Sequence, residues 1–319
     1  MTQPSNLIPT CLIMLVLAYP DAITAAERDY ELTPVNDKIM VIYGPLELPD
    51  RHNRGFRNNA VIVKTSEGPV VFDPGGSAYA GEMIARTIKR AFDAPVIAVF
   101  NSHVHGDHWL GNEGIRRLFP TASIYAHPRM KRRLESGDGE RWLTTINRVT
   151  EHTADGKLVV GPDHVVSDGD IITVGDTRFR ILHYGASHTD NDIMIEVVGE
   201  DILFTGDVVR NGLLGIMEAD ASFKGNINAI DSLLATPYAR YIPGHGDIGD
   251  ASMVRRYRNY LHTLRTRVEA LYAEGLSDYE MKPQVLEAVD DYRHWEGFDL
   301  RVGPHISRAF LEVEQEAFQ

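Results

Sequence analysis

Five apolar residues, Val96-Ile97-Ala98-Val99-Phe100, run straight into Asn101-Ser102-His103-Val104-His105-Gly106-Asp107-His108. An apolar run of that length without polar alternation reads as a strand buried on both faces, as in a layered α/β fold. Three histidines and a carboxylate then follow within six residues. On an extended chain, residues two apart face the same side, so His103 and His105 can aim at one point. Gly106 allows a sharp turn, which sends Asp107 and His108 to a neighbouring position. Imidazole and carboxylate together suit zinc, iron or manganese. The chain has 13 histidines, and any single one is more often structural than functional. Four ligand types in one strand-to-turn context point instead to metal chemistry.

The flanking pattern predicts an α/β class with a layered sandwich. Residues 38–43, 60–65, 70–72 and 96–100 read as strands in the first half, with a helix over 81–92. Residues 179–184, 193–198, 202–205 and 240–242 read as strands in the second half, with a helix over 226–234. Beyond Ser252, a plausible N-cap, an apolar stripe of Val254, Tyr257, Leu261, Leu264, Val268 and Leu271 predicts a long helix closed by Gly275. Such a stripe is core packing and carries no chemistry. Shorter helices are expected over 276–319, anchored by Trp295, Phe298 and Phe310. The polar, Pro-punctuated stretch 44–58 is expected to cover the site as a flap. Residues 128–165 read as an insertion with a solvated helix face at Lys131-Arg132-Arg133, and with Trp142.

Composition narrows the partners. An apolar fraction of 43% and a charged fraction of 24% are ordinary for a folded chain and speak against disorder. The net charge of −13, with no Lys/Arg stripe, repels phosphate backbones and makes nucleic acid a poor partner. A small-molecule substrate is expected instead. Residues 7–19 form an apolar segment of signal-peptide length, and Thr24-Ala25-Ala26 resembles a cleavage site. No Lys or Arg precedes that segment, so a buried N-terminal helix is the alternative. The expected division is a signal peptide over 1–26, a catalytic domain over 27–250, and C-terminal helices over 251–319 packed on it. A periplasmic or secreted location follows, with no stable membrane insertion after processing. Cys11, the one cysteine, lies in the leader, so neither a thiolate nucleophile nor a Cys-rich zinc site is available.

The motif His103-x-His105-x-Asp107-His108 resembles the signature of the metallo-β-lactamase superfamily. Gly185-Ala186-Ser187-His188-Thr189, Phe204-Thr205-Gly206-Asp207 and Pro243-Gly244-His245-Gly246 resemble its remaining ligand turns, in the same order. Asp73, in Val-Phe-Asp-Pro-Gly-Gly, resembles an aspartate that supports the ligands from behind. The resemblance covers about residues 37–250 and implies a four-layer αββα sandwich, here with a helical C-terminal extension. It implies one metal on His103, His105 and His188, another on Asp107, His108 and His245, and Asp207 between them. Two divalent ions, zinc foremost and iron or manganese as alternatives, would lower the pKa of a shared water to give hydroxide near neutral pH. Asp107 would orient that nucleophile and carry its proton.

An ester, thioester, lactone or β-lactam carbonyl is the implied target. Subclass B1 β-lactamases carry cysteine where this chain has Asp207, so the aspartate resembles the broader group of glyoxalase II-like thioesterases and lactonases. Arg210, however, stands where B1 enzymes place a lysine that grips a substrate carboxylate, and is expected to bind an anionic group. A further resemblance, to exported members associated with quinoprotein and sulfur-oxidation systems, rests on Asn-Arg-Gly-Phe-Arg-Asn-Asn (53–59) and on the tail from Trp295 to Phe310. The competing reading is a persulfide dioxygenase with a single iron. A serine nucleophile at Ser187 is disfavoured because Gly-Ala-Ser-His-Thr lacks the second glycine of a nucleophile elbow.

Overall fold

The computed structural model describes residues 30–318; the expected signal peptide and Cys11 lie outside the described residues. Two sheets face each other. The first contains β1 (Thr33–Pro34), β2 (Ile39–Ile42), β3 (Ala60–Val63), β4 (Val70–Phe72), β5 (Ala98–Phe100), β6 (Ser123–Ala126) and β7 (His164–Val165), in that spatial order. It is antiparallel from β1 to β4 and parallel from β4 to β7. The second contains β8 (Ile171–Val174), β9 (Thr177–Leu182), β10 (Met194–Val197), β11 (Ile202–Gly206) and β12 (Arg240–Pro243), ordered β12-β11-β10-β9-β8. Only its β11–β12 pair is parallel.

The helices are α1 (Ala78–Ala91), α2 (Gly106–Trp109), α3 (Asn112–Leu118), α4 (Pro128–Arg133), α5 (Gly139–Val149), α6 (Phe223–Ala235), α7 (Ala251–Ala273), α8 (Asp278–Ala288) and α9 (Phe298–Ala317). Strands β3, β4 and β5 are buried at every position, because apolar residues meet them on both faces. Between the sheets, Phe72 packs on Phe100, Phe179 and Phe204 with ring centroids 5.5–5.7 Å apart. Ile84 and Ile88 of α1 and Ile115 of α3 cover the outer face of the first sheet. Residues of α6, α7, α8 and α9 form one core with Leu203 and Tyr241 on the outer face of the second. The four layers are therefore helix, sheet, sheet, helix, with a helical C-terminal extension.

Several local expectations change. The N-cap of α7 is Asp250, whose carboxylate accepts the Ser252 N–H at 2.7 Å; Ser252 already lies inside the helix. Arg133 does not face solvent: it turns inward to pair with Asp138 at 2.7 Å and with Asp220. The flap expected over 44–58 is a loop between β2 and β3 that walls a cavity with Leu46, Leu48 and Pro49. The strands β1, β6, β7 and β8 are not among the expected ones. Of these, β1 and β7 are exposed two-residue segments; β6 and β8 alternate in burial, but Tyr125 and Ile171 put apolar side chains on the more exposed face and hide the alternation in the sequence.

Candidate metal centre

Four strand ends converge at one edge of the sandwich. The loop after β5 supplies His103 and His105, and α2 supplies Asp107 and His108. The turn before β10 supplies His188, the end of β11 Asp207, and the end of β12 His245. β10, β11 and β12 are neighbours in one sheet and β5 belongs to the sheet facing it, so these strand ends meet at one edge, where loops are free to present polar groups. All the histidines in this set are buried. The expected turn at Gly106 is instead the first turn of α2. What glycine provides there is space, since a Cβ would lie 3.0 Å from Trp142.

The supporting hydrogen bonds fix which ring nitrogens face inward. Asp73 is buried, at φ 50°, a region aspartate tolerates better than most residues. Its carboxylate accepts the Ser102 N–H at 2.7 Å and the Ser102 O–H at 2.6 Å. It also lies 2.7 Å from His108 Nδ1, and Ser102 Oγ lies 2.9 Å from His103 Nδ1. The Ser102 proton goes to Asp73, so both rings donate from Nδ1 and turn Nε2 inward. His245 Nδ1 likewise donates to the Arg57 carbonyl at 3.0 Å. His105 is reversed: its Nδ1 faces His188 Nε2 at 2.9 Å, and its Nε2 points toward Glu218 at 3.8 Å.

Three groups of donor atoms result, each with its members within 4.8 Å of one another: His103, His105 and His188; Asp107, His108 and His245; and His103, His108 and Asp207. Asp207 Oδ2 lies 3.4–3.9 Å from ring nitrogens of His103, His108, His188 and His245. Two glycines make room for it. Gly206 has φ 50°, and a Cβ there would meet Ser102 at 2.8 Å; at Gly244 a Cβ would come 2.2 Å from Asp207 Oδ1. His103 Nε2 and Asp207 Oδ1 are buried without a hydrogen-bond partner. Orphaned donors and acceptors of this kind are costly unless something binds them. The donor set therefore fits divalent cations.

Electrostatics put most of these groups in the form that binds cations. Burial, reinforced by His108 and His105, holds His103 well below the usual histidine range. Burial and Arg210 do the same to His188. Burial would raise the Asp207 carboxyl, but Arg210, His108 and His245 together hold it well below the usual carboxylate range. For Asp107, His108, His245 and Arg57 outweigh burial in the same way. His108 is the exception, since the aspartates around it overcome burial and raise its pKa.

Three charged residues that the sequence did not single out belong to the site. Arg57 donates from Nη1 to Asp107 at 3.1 Å and is itself held by the Leu46 and Glu47 carbonyls. Glu218 faces His105 at 3.8 Å and is gripped by Arg141 at 3.5 Å and Arg133 at 3.9 Å; the nearby His105 ring and these two arginines hold its pKa down to about 2. Arg301 is the third. Arg210, which was singled out, is 4% exposed and lies on the floor of the site, paired with Asp207 and 3.2 Å from His188. It reaches that position because residue 215 is glycine: a Cβ there would overlap its guanidinium. Its Nε and Nη1 have no partner. The Ser187 hydroxyl makes no hydrogen bond to a histidine and donates to the Gly185 carbonyl at 3.4 Å.

The donor groups open into a cavity of about 600 Å³, a size typical of small-molecule sites. The family model for the metallo-beta-lactamase superfamily matches residues 53–245, which include every residue of the donor set. The chain belongs to that superfamily. Among relatives, a hydroxyacylglutathione hydrolase from Francisella tularensis is 26% identical over 231 residues, covering 70% of this chain and 77% of that protein. A metallo-beta-lactamase from Pontibacter korlensis shares the fold with a TM-score of 0.60 at 21% identity, over 73% of this chain and 99% of its own. A sec-alkylsulfatase from Pseudomonas sp. aligns over 89% of this chain and 50% of its own, with a TM-score of 0.69 at 17% identity. As a superfamily member with relatives named as hydrolases, the chain is an enzyme of the metal-dependent hydrolase type.

Proposed function

We propose that this metallo-β-lactamase-fold protein is a dinuclear hydrolase, with zinc the leading candidate, that cleaves an ester, thioester, lactone or β-lactam carbonyl bond. The observation that carries the reading is the pair of complete donor trios with Asp207 between them, at the floor of a cavity. His103, His105 and His188 would hold one cation, and Asp107, His108 and His245 the other. Divalent cations bound there supply electrophilic polarisation of the substrate oxygen and bring the pKa of water toward neutrality.

The chain's own residues do the rest. Asp107 is kept ionised and aimed by Arg57, so it can orient an attacking water and accept its proton. It can then return that proton to the leaving group. Arg210 adds fixed positive charge and two unpartnered N–H donors where negative charge develops on the substrate. Arg210→Ala is expected to raise KM for anionic substrates; an unchanged KM for all of them would remove that role. The alternative, a persulfide dioxygenase with one iron, needs only one of the trios.

Metal analysis of the purified protein, with hydrolysis assays on nitrocefin, an acyl-homoserine lactone and S-lactoylglutathione, tests the reading. About two zinc ions per chain and loss of hydrolysis in His103→Ala are the expected results. A single iron with oxygen consumption on glutathione persulfide would replace the hydrolase reading by the dioxygenase one.

A further inference from the structure

The C-terminal extension forms part of the cavity wall. Glu296 pairs with Leu213 in a short backbone bridge, in which the Leu214 N–H donates to the Glu296 carbonyl at 2.9 Å and the Glu296 N–H to the Gly212 carbonyl at 2.9 Å. That pairing fixes the segment before α9 beside the loop that follows Arg210. The first turn of α9 then points Leu300 and Arg301 at the cavity.

Four arginines line this cavity: Arg57, Arg210, Arg293 and Arg301. Arg57 and Arg210 pair with Asp107 and Asp207, and Arg293 pairs with Asp290 at 2.8 Å. Arg301 is half-buried and, among the described residues, makes no ion pair and no side-chain hydrogen bond. Burial, with Arg57 and Arg210 nearby, pushes its pKa down, and only Asp107 acts in the other direction. Cations in the donor trios would add to the positive charge it faces. An uncompensated, partly desolvated guanidinium favours a bound anion, most of all one that accepts two parallel N–H bonds.

The opposite character appears at the mouth. Leu48, Val149 and Leu300 are 50%, 42% and 54% exposed, and each lines the cavity entrance from a different element. Deeper in, Leu110, Ile146 and Leu213 continue the apolar lining. Apolar groups brought together around one opening mark a surface for an apolar ligand.

We infer that the substrate is an anionic amphiphile, with its apolar chain along Leu48, Val149 and Leu300 and its anionic group on Arg301. The inference rests on the hydrolase reading for the position of the scissile bond, beside the donor trios. It gives the C-terminal extension a part in substrate choice that the metal ligands do not carry.

Decane sulfonate is a suitable probe, being anionic, not hydrolysable at a carbonyl and a weak metal ligand. Calorimetric titration of the zinc-loaded full chain would compare it with hexane and octane sulfonates, methane sulfonate and decanol. Affinity should rise about three- to fourfold per added methylene until the apolar lining is filled. Arg301→Ala should weaken decane sulfonate by about tenfold or more, the loss of a charge-assisted contact, while decanol binding stays unchanged. Arg301→Lys should recover part of the loss, and Leu300→Gln should flatten the dependence on chain length; thermal melts would confirm that each variant is folded.

Equal binding of decane sulfonate to wild type and Arg301→Ala, or affinity independent of chain length, would overturn the inference. Hydrolysis of para-nitrophenyl acetate by the wild-type protein separates the two readings. Turnover of that neutral ester, together with decane sulfonate binding that ignores Arg301→Ala, leaves the hydrolase standing and removes the amphiphile. Arg301-dependent binding without turnover of any ester does the reverse.

Discussion

The Asp73 carboxylate acts on two rings at once, directly on His108 and through Ser102 on His103. It therefore sets the tautomer of one donor in each trio, and orienting groups of this kind tune metal affinity. Asp73→Asn keeps the shape and tolerates the same backbone, but its amide can no longer accept from both. Zinc affinity, measured by competition with a chromogenic chelator, should fall by about tenfold to a hundredfold. Glu218→Gln should cause a smaller loss, since Glu218 meets His105 only at 3.8 Å; unchanged affinity in both variants would remove this role. The ligands were legible in the sequence because each lies in a short turn where Gly, His and Asp recur together. Arg57, Glu218 and Arg301 carried no such signal. A lone charged residue in a loop looks like solvated surface, and only tertiary packing turns it toward the site.

At the scale of the element, α9 combines packing with a polar function that the periodicity did not reveal. Its apolar stripe includes Val302, Ile306, Ala309 and Val313, and the same helix buries His305. That ring donates from Nε2 to the Gly215 carbonyl at 2.8 Å and accepts the Tyr260 O–H on Nδ1 at 2.8 Å. Gly215 is where the Arg210 guanidinium rests, so α9 steadies the floor of the site from behind. Burial pushes the His305 pKa down to about 4, with Arg210 and Arg301 adding to the effect and the Gly215 carbonyl opposing it.

The unfolded chain would protonate this ring near pH 6.5, well above the folded value. The folded state is therefore not penalised above that pH and loses stability as pH falls from about 6.5 toward 4. Between pH 7 and pH 5 the loss should be about 2 kcal/mol. Denaturant unfolding of the wild type and of His305→Gln at both values checks it, since the variant should lose less by that amount. Sequence pattern served the elements well where burial is one-sided or complete, as in β5 and α7. It failed at the short, exposed β1 and β7, where pairing with a neighbour creates the strand, and at β6 and β8, where apolar side chains on the more exposed face mask the alternation.

For the molecule as a whole, the superfamily match ends at His245, yet the core does not. Eight side chains of α7, from Met253 to Leu271, are buried against α6, α8 and α9. Each large apolar side chain contributes about 1.5–3 kcal/mol on burial, against a typical total stability of about 5–15 kcal/mol. A chain stopped after Asp250 should therefore be insoluble or molten. Soluble yield and dye binding to exposed apolar surface would show this, and a soluble, well-packed fragment would contradict it.

The same division has an evolutionary consequence. The donor atoms sit on the ends of sandwich strands and the helix beside them, while Leu300 and Arg301 belong to a later stretch of chain that contributes none. Substitution confined to Leu300 and Arg301 would thus alter what the protein accepts while leaving its reactive chemistry, and the buried Trp295 and Phe298 beside them, in place. Natural variation can explore new substrates at such positions without passing through inactive forms.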